Sequence, residues 1–295
     1  MKKRTLYIAI VSAVILILIV GIATIVRPKN NIVAEGFKSH RMVAHAMGGI
    51  HGQAYTNTYE AFVANYEKGL RIFEVDLLLS ADDDLIARHE WGKSFTAMMG
   101  QQDELEPERH DGVFTTAEFK EAKIMGQYEP LTWEEILDLM EFYPDVYIVT
   151  DTKQIKPEEI DQIFGDIVDS AEAKDPALLE RIVPQIYNQP MWDQLQGIHP
   201  FESIIFTLYT VHDTNEEVTQ FVKEKGITAV TMSDTRANKE LISSLNDLGV
   251  PSYVHTVNDP KLMMKLKRMG AYGFYTDFLT EKDVARSEWL DLLGL

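Results

Sequence analysis

Two carboxylates two residues apart, Glu74 and Asp76, sit inside the run Arg71-Ile-Phe-Glu-Val-Asp-Leu-Leu-Leu79, and His89 follows shortly after. Ile, Phe, Val and Leu dominate the run, which reads as a strand. On a strand, a spacing of two puts both acids on one face. Apolar neighbours on either side suit a strand buried on both faces. Two like charges held there repel each other, and a hard divalent cation is the usual partner that keeps them together. A turn over Ser80–Asp84 and a short strand Leu85–Arg88 then deliver His89. Two acids and a histidine so close together point to metal-assisted acid–base chemistry. The competing reading is an alternating strand with one solvated face, on which such acids are inert.

The elements that would position these residues repeat along the chain. Strand-like stretches begin near residues 41, 71, 146, 181, 203, 227, 251 and 272, and helical stretches separate most of them. Thr132-Trp-Glu-Glu135 is a capping box, and Gly226 and Gly249 read as helix stops. Eight alternating units argue for an α/β fold, a parallel (β/α)8 TIM barrel, over a doubly wound open sheet. A barrel of this kind keeps its active site at the C-terminal ends of its strands. The polar residues expected there are His45, Glu74, Asp76, Asp151, Lys153, Gln185, Tyr187, Tyr209, Ser233, His255 and Asp277. Residues 92–130 break the rhythm; they are polar, with Met98 and Met99, and read as an insertion that covers the site and shapes substrate choice rather than stability.

Residues 5–26 carry no charge, with Lys2, Lys3 and Arg4 before them and Arg27 and Lys29 after. Twenty-two residues at about 1.5 Å each reach roughly 33 Å, enough to cross a bilayer. Residues 1–26 are thus expected to form a transmembrane anchor and 27–40 a linker, with 41–295 as the catalytic domain. A cleaved signal peptide is the rival, for which Gly21-Ile-Ala23 is a weak cleavage signal. The basic flank favours a cytoplasmic N-terminus, which puts the domain outside the cytoplasm on a single-pass membrane protein. Setting aside Lys2, Lys3 and Arg4 from the 28 basic residues leaves 25 against 46 acidic ones, a formal charge of −21. Such a domain is expected to repel nucleic acid and bare anionic lipid. The chain has no cysteine, so disulfides and thiolate metal sites are excluded.

Val-Ala-His45, Tyr55-Thr-Asn57-Thr-Tyr-Glu60, Glu74-Val-Asp76 and Arg88-His89 together resemble the N-terminal signature of glycerophosphodiester phosphodiesterases. Val254-His-Thr-Val-Asn258 and Gly270-Ala-Tyr-Gly-Phe-Tyr-Thr-Asp277 are similar to that family's last two strands. The resemblance spans about residues 41–280, the whole globular part. It implies a metal-dependent phosphodiesterase on a barrel shared with phosphatidylinositol-specific phospholipases C. Glu74, Asp76 and Asp151 would hold Mg²⁺ or Ca²⁺. His45 and His89 would be the acid–base pair. Lys153, Asn57, Arg88, Tyr187 and His255 would meet a glycerophosphodiester or a related lipid or wall-polymer head group.

Three positions depart from the family. Ala46 stands where an Arg follows the first His, Asp151 stands where Glu is usual, and His255 replaces a Trp. Asp151-Thr-Lys153 is similar to the sphingomyelinase D branch of the superfamily. Two further readings therefore stand beside the phosphodiesterase: a sphingomyelinase D- or phospholipase D-like lyase, and a barrel that binds a phosphate-bearing ligand without turning it over.

Overall fold

A computed structural model describes residues 31–293 of the chain. The expected anchor over residues 1–26 lies outside the described residues; among those described, no helix is long and apolar enough to cross a membrane.

The strands are β1 (Met42–Ala44), β2 (Ile72–Leu79), β3 (Leu85–Ala87), β4 (Tyr147–Asp151), β5 (Ile182–Ile186), β6 (Ile205–Thr207), β7 (Ala229–Ser233), β8 (Ser252–His255) and β9 (Gly273–Thr276). All but β3 are parallel, and β1 pairs with both β2 and β9, which closes an eight-stranded barrel. β3 folds back antiparallel on the upper half of β2, with Leu77 opposite Ala87. Helices alternate with the strands as expected. Trp133–Phe142 buries Trp133, Ile136, Leu137 and Met140 at helical spacing, and its Thr132 capping box forms as read. Gly226 ends its helix in the left-handed conformation that costs glycine least.

Strand parity decides what the barrel encloses. On β2, Phe73, Val75 and Leu77 pack outward among the helices, whereas Ile72 joins an inner layer with Val43, Val149, Val183, Ile205 and Tyr253. Glu74 and Asp76 share parity with Ile72, so they stand directly above that apolar layer. The β2–β4 register sets Asp76 opposite Asp151.

Two expected boundaries change. The linker does not extend to residue 40: Phe37 is buried and stacks on Tyr253, and Tyr253 Oη donates to His40 O at 2.9 Å, so the segment from Asn31 closes the bottom of the barrel. Residues 92–130, expected as an insertion that covers the site, also pack into the fold. They form the short helices Lys93–Met98 and Thr116–Glu121 and bury Phe95, Met99, Phe114, Phe119 and Tyr128. Met98 alone of the methionine pair is exposed.

Candidate active site

At the C-terminal mouth a cavity of about 400 Å³ is lined by His45, Tyr55, Glu74, His89, Asp151, Lys153, Tyr187 and His255, among others. Glu74, Asp76 and Asp151 each bring a carboxylate oxygen within 4.8 Å of the other two. Each acid is held by its other oxygen or its neighbours. Glu74 Oε2 accepts the Ala46 N–H at 2.7 Å. Asp76 Oδ2 accepts from Asn57 Nδ2 at 2.9 Å, and Asp76 N–H donates to Asn57 Oδ1 at 3.2 Å. Asp151 Oδ1 accepts the Tyr187 hydroxyl. Lys153 Nζ donates to Asp76 Oδ1 at 2.6 Å and stands 3.7 Å from Asp151. Glu74 Oε1 is buried and has no partner among the described residues.

The electrostatics follow from that crowding. Burial, then the Asp76 charge, pushes Glu74 well above the usual carboxylate range. Burial also raises Asp151, against the pull of Lys153. Burial acts the same way on Asp76, but the charges of Lys153 and His89 outweigh it and hold that acid low. Three carboxylates thus face the Lys153 ammonium and the charge of His45, and one buried Glu74 oxygen still has no partner among the described residues, a costly condition that a further cation would relieve. An all-oxygen donor set of this kind fits Mg²⁺ or Ca²⁺.

The two histidines differ in their support. His45 Nδ1 lies 2.9 Å from Asp277 Oδ1, and Asp277 Oδ2 accepts from Asn258 Nδ2 at 2.6 Å. Burial would lower the His45 pKa, but the Asp277 hydrogen bond and the Glu74 and Asp76 charges carry it up to about 9. His89 has no such carboxylate partner: its Nδ1 is buried without a partner among the described residues, and its ring stacks on Phe95 at 5.7 Å. Burial lowers its pKa. The Tyr55 ring stands edge-on between them, 4.8 Å from His45 and 5.1 Å from His89. Ala46, Met47, Tyr55, Asn57 and Lys153 all hold positive φ. Each costs about 1–3 kcal/mol for a non-glycine residue, and such strain gathers at functional sites.

Residues 48–281 match the sequence profile of the Glycerophosphoryl diester phosphodiesterase family. The chain belongs to this family. It is accordingly a phosphoric diester hydrolase. No curated protein matches the chain. Among solved structures, a glycerophosphodiester phosphodiesterase from Parabacteroides distasonis is 20% identical with a TM-score of 0.63, over 85% of this chain and 98% of that one. An Oleispira antarctica phosphodiesterase in complex with the product sn-glycerol-3-phosphate is 16% identical with a TM-score of 0.64, over 87% of this chain and 97% of that one. At these identities the likeness establishes the fold.

Two residues expected at the substrate of this phosphodiesterase have other roles. Arg88 is buried away from the cavity, where it donates to Glu90 O at 2.8 Å, Gln101 Oε1 at 2.7 Å and Thr96 Oγ1 at 3.2 Å. Trp91, Phe95 and Phe114 surround its guanidinium. Its bonds to Gln101 and Thr96 make it an anchor for residues 92–130. Asn57 is fully buried and clasps Asp76 instead of reaching substrate. Lys153, Tyr187 and His255 do line the cavity. His255 Nε2 is buried there without a partner among the described residues, and burial, with the His45 charge, lowers its pKa to about 4. At the departure from the family, Ala46 is fully buried and supplies its backbone N–H to Glu74. Among the described residues that line the cavity, Lys153 is the one lysine or arginine. Tyr55 was not singled out from the sequence, although it sits in the same short motif as Asn57. Asp277 reads from sequence as a rim hydrogen bonder, and its grip on His45 is what sequence spacing does not reveal.

Proposed function

We propose that this hydrolase cleaves small glycerophosphodiesters with a divalent cation held by Glu74, Asp76 and Asp151. The observation that carries the proposal is that triad, with its unmet Glu74 oxygen: Glu74 and Asp151 line the same cavity as two histidines, and buried Asp76 brings a carboxylate oxygen within 4.8 Å of both acids. A bound Mg²⁺ or Ca²⁺ would offset the charge on the phosphoryl oxygens that otherwise repels a nucleophile. Lys153 brings a second positive charge to the same oxygens. His89, uncharged near neutral pH and unpaired at Nδ1, accepts the proton of the attacking hydroxyl. His45, whose imidazolium Asp277 stabilises, donates a proton to the leaving alkoxide. Tyr55 fills the space between the two rings and keeps them apart across the mouth. The attacking hydroxyl belongs either to the substrate, giving a cyclic phosphate, or to water.

Residues 5–26 anchor the enzyme as a single-pass protein of the cell membrane, with the barrel outside the cytoplasm. Support comes from the length and charge-free character of that stretch and from its basic flank. The Oleispira antarctica relative bound to sn-glycerol-3-phosphate supports a glycerol phosphate product here as well. Phosphorus NMR of the purified chain with glycerophosphodiesters, lysolipids and sphingomyelin reads substrate and product together. A glycerol phosphate signal from the small diesters is expected. Turnover of sphingomyelin alone would move the enzyme to the sphingomyelinase D-like reading.

A further inference from the structure

The described chain enters the barrel at the end opposite the catalytic mouth. Asn31 Nδ2 donates at 3.3 Å to the carbonyl of Asp247, which closes the helix running down into β8. Ile32 packs on the apolar layer at the barrel's floor. The carbonyls of Lys38 and His40 accept from Tyr272 and Tyr253, which stand where β9 and β8 begin. Residues 31–40 are therefore fixed across the N-terminal face. Val26 ends the charge-free stretch, and Asn31 follows five residues later. Five residues reach at most about 18 Å when fully extended.

That reach is shorter than the domain. The 18-residue helix Pro157–Lys174 runs from the mouth to the N-terminal face, a length of about 27 Å. Tilted with the barrel by about 36°, it still spans about 22 Å. A mouth laid on the bilayer would lift Asn31 farther from it than the tether extends. Exposed apolar side chains occur at both ends, Val33 (61%), Phe142 (77%) and Leu248 (36%) on the N-terminal face and Ile155 (59%), Tyr209 (71%) and Phe278 (43%) after strands at the mouth, so the tether alone sets the orientation. Phe142 and Leu248 terminate helices at that end.

Resting on the anchored phosphodiesterase reading above, we propose that the domain stands with its N-terminal face on the bilayer and its mouth turned away. Its substrate is then a phosphodiester that arrives from the aqueous side, and not a head group of the bilayer that holds it.

The chain has no cysteine, so single labels report orientation directly. Phe142→Cys marks the N-terminal face. Ile155→Cys, 59% exposed on the loop after β4 and outside the cavity lining, marks the mouth. Each full-length variant is labelled with an environment-sensitive dye and reconstituted in phosphatidylcholine vesicles containing spin-labelled lipid, whose zwitterionic surface does not repel a domain of formal charge −21. The Phe142 probe should be quenched and the Ile155 probe should stay at its detergent value. Quenching of the Ile155 probe to the level of Phe142, or failure of the chain to hold to the vesicles, overturns the proposal. Hydrolysis of soluble glycerophosphocholine by the same samples is scored separately. Its absence would sink the activity reading and leave the orientation result intact. Inserting twenty Gly/Ser residues after Lys29 lengthens the tether to an average of about 27 Å. If lysophosphatidylcholine in the same vesicle is cut, this variant should cut it faster than the natural chain; equal rates count against the proposal.

Discussion

Replacing Glu74 by Gln keeps the side chain's volume and its acceptor for the Ala46 N–H, but removes one of three carboxylate charges. Two opposite effects on melting temperature follow. Without metal, the natural chain holds a buried carboxyl whose Oε1 meets no partner among the described residues. Relieving such a group is worth about 1–2 kcal/mol, or about 2–8 °C at roughly 2–4 °C per kcal/mol for a domain of this size. The gain depends on pH. Burial and the Asp76 charge raise Glu74 in the folded chain, so the fold loses stability as pH climbs from the usual Glu value of 4.5 through the raised one. Below that window Glu74 is protonated both folded and unfolded, and the variant's advantage should vanish. With metal the order reverses. A cation at a hundredfold its Kd adds about 2.7 kcal/mol, or about 5–11 °C. Weakening affinity about a hundredfold leaves only about 0.4 kcal/mol, close to 1 °C. Thermal scans at pH 4 and pH 7, with and without Mg²⁺ or Ca²⁺, read all four values. An undiminished metal-induced shift in Glu74→Gln, or an apo advantage that persists at pH 4, refutes the reasoning.

His45→Ala and His89→Ala should each lower kcat about 10²–10⁴-fold on glycerophosphocholine. On a nitrophenyl diester, whose leaving group needs no proton, His45→Ala should recover most of its rate and His89→Ala should not; equal losses on both substrates contradict the division of roles. Asn57 holds its backbone at φ 50°, so Asn57→Gly removes the clasp on Asp76 without strain and should weaken metal affinity about 10–100-fold by titration calorimetry. Arg88→Ala should cost about 2–4 kcal/mol in urea unfolding, through lost packing and an unmet Gln101 carbonyl. Its KM for a small diester should stay unchanged, because Arg88 does not line the cavity.

The barrel was legible because its strands are short apolar runs separated by well-capped helices, and each rule acts over a few neighbours. The pairing of Glu74 with Asp76 was legible for the same reason: parity two apart is local. Asp151 joins them only through the β2–β4 register, which local rules do not state, and the family resemblance supplied it. Arg88 and Asn57 were misassigned because both carry polar groups suited to phosphate, and only tertiary contacts reveal that their hydrogen bonds are already spent on Gln101 and Asp76. The hydrophobic residues of 92–130 are spaced without period, so a segment that buries Phe114 and Phe119 reads from sequence as an insertion over the site and not as part of the packed fold. The tie between His45 and Asp277 crosses most of the sequence. It exists because β1 and β9 are neighbours in the closed barrel.

Metal-dependent turnover at this one triad is the central claim, and a single titration tests it. Purified chain is stripped with chelator, then Mg²⁺ or Ca²⁺ is added stepwise while release of glycerol phosphate from glycerophosphocholine is followed. Turnover should fall to background on stripping and return with one equivalent of bound ion. The double variant Glu74→Gln/Asp76→Asn should bind no ion and stay silent. Hydrolysis that continues unchanged after stripping, or that the double variant recovers at the same ion concentration, contradicts the assignment.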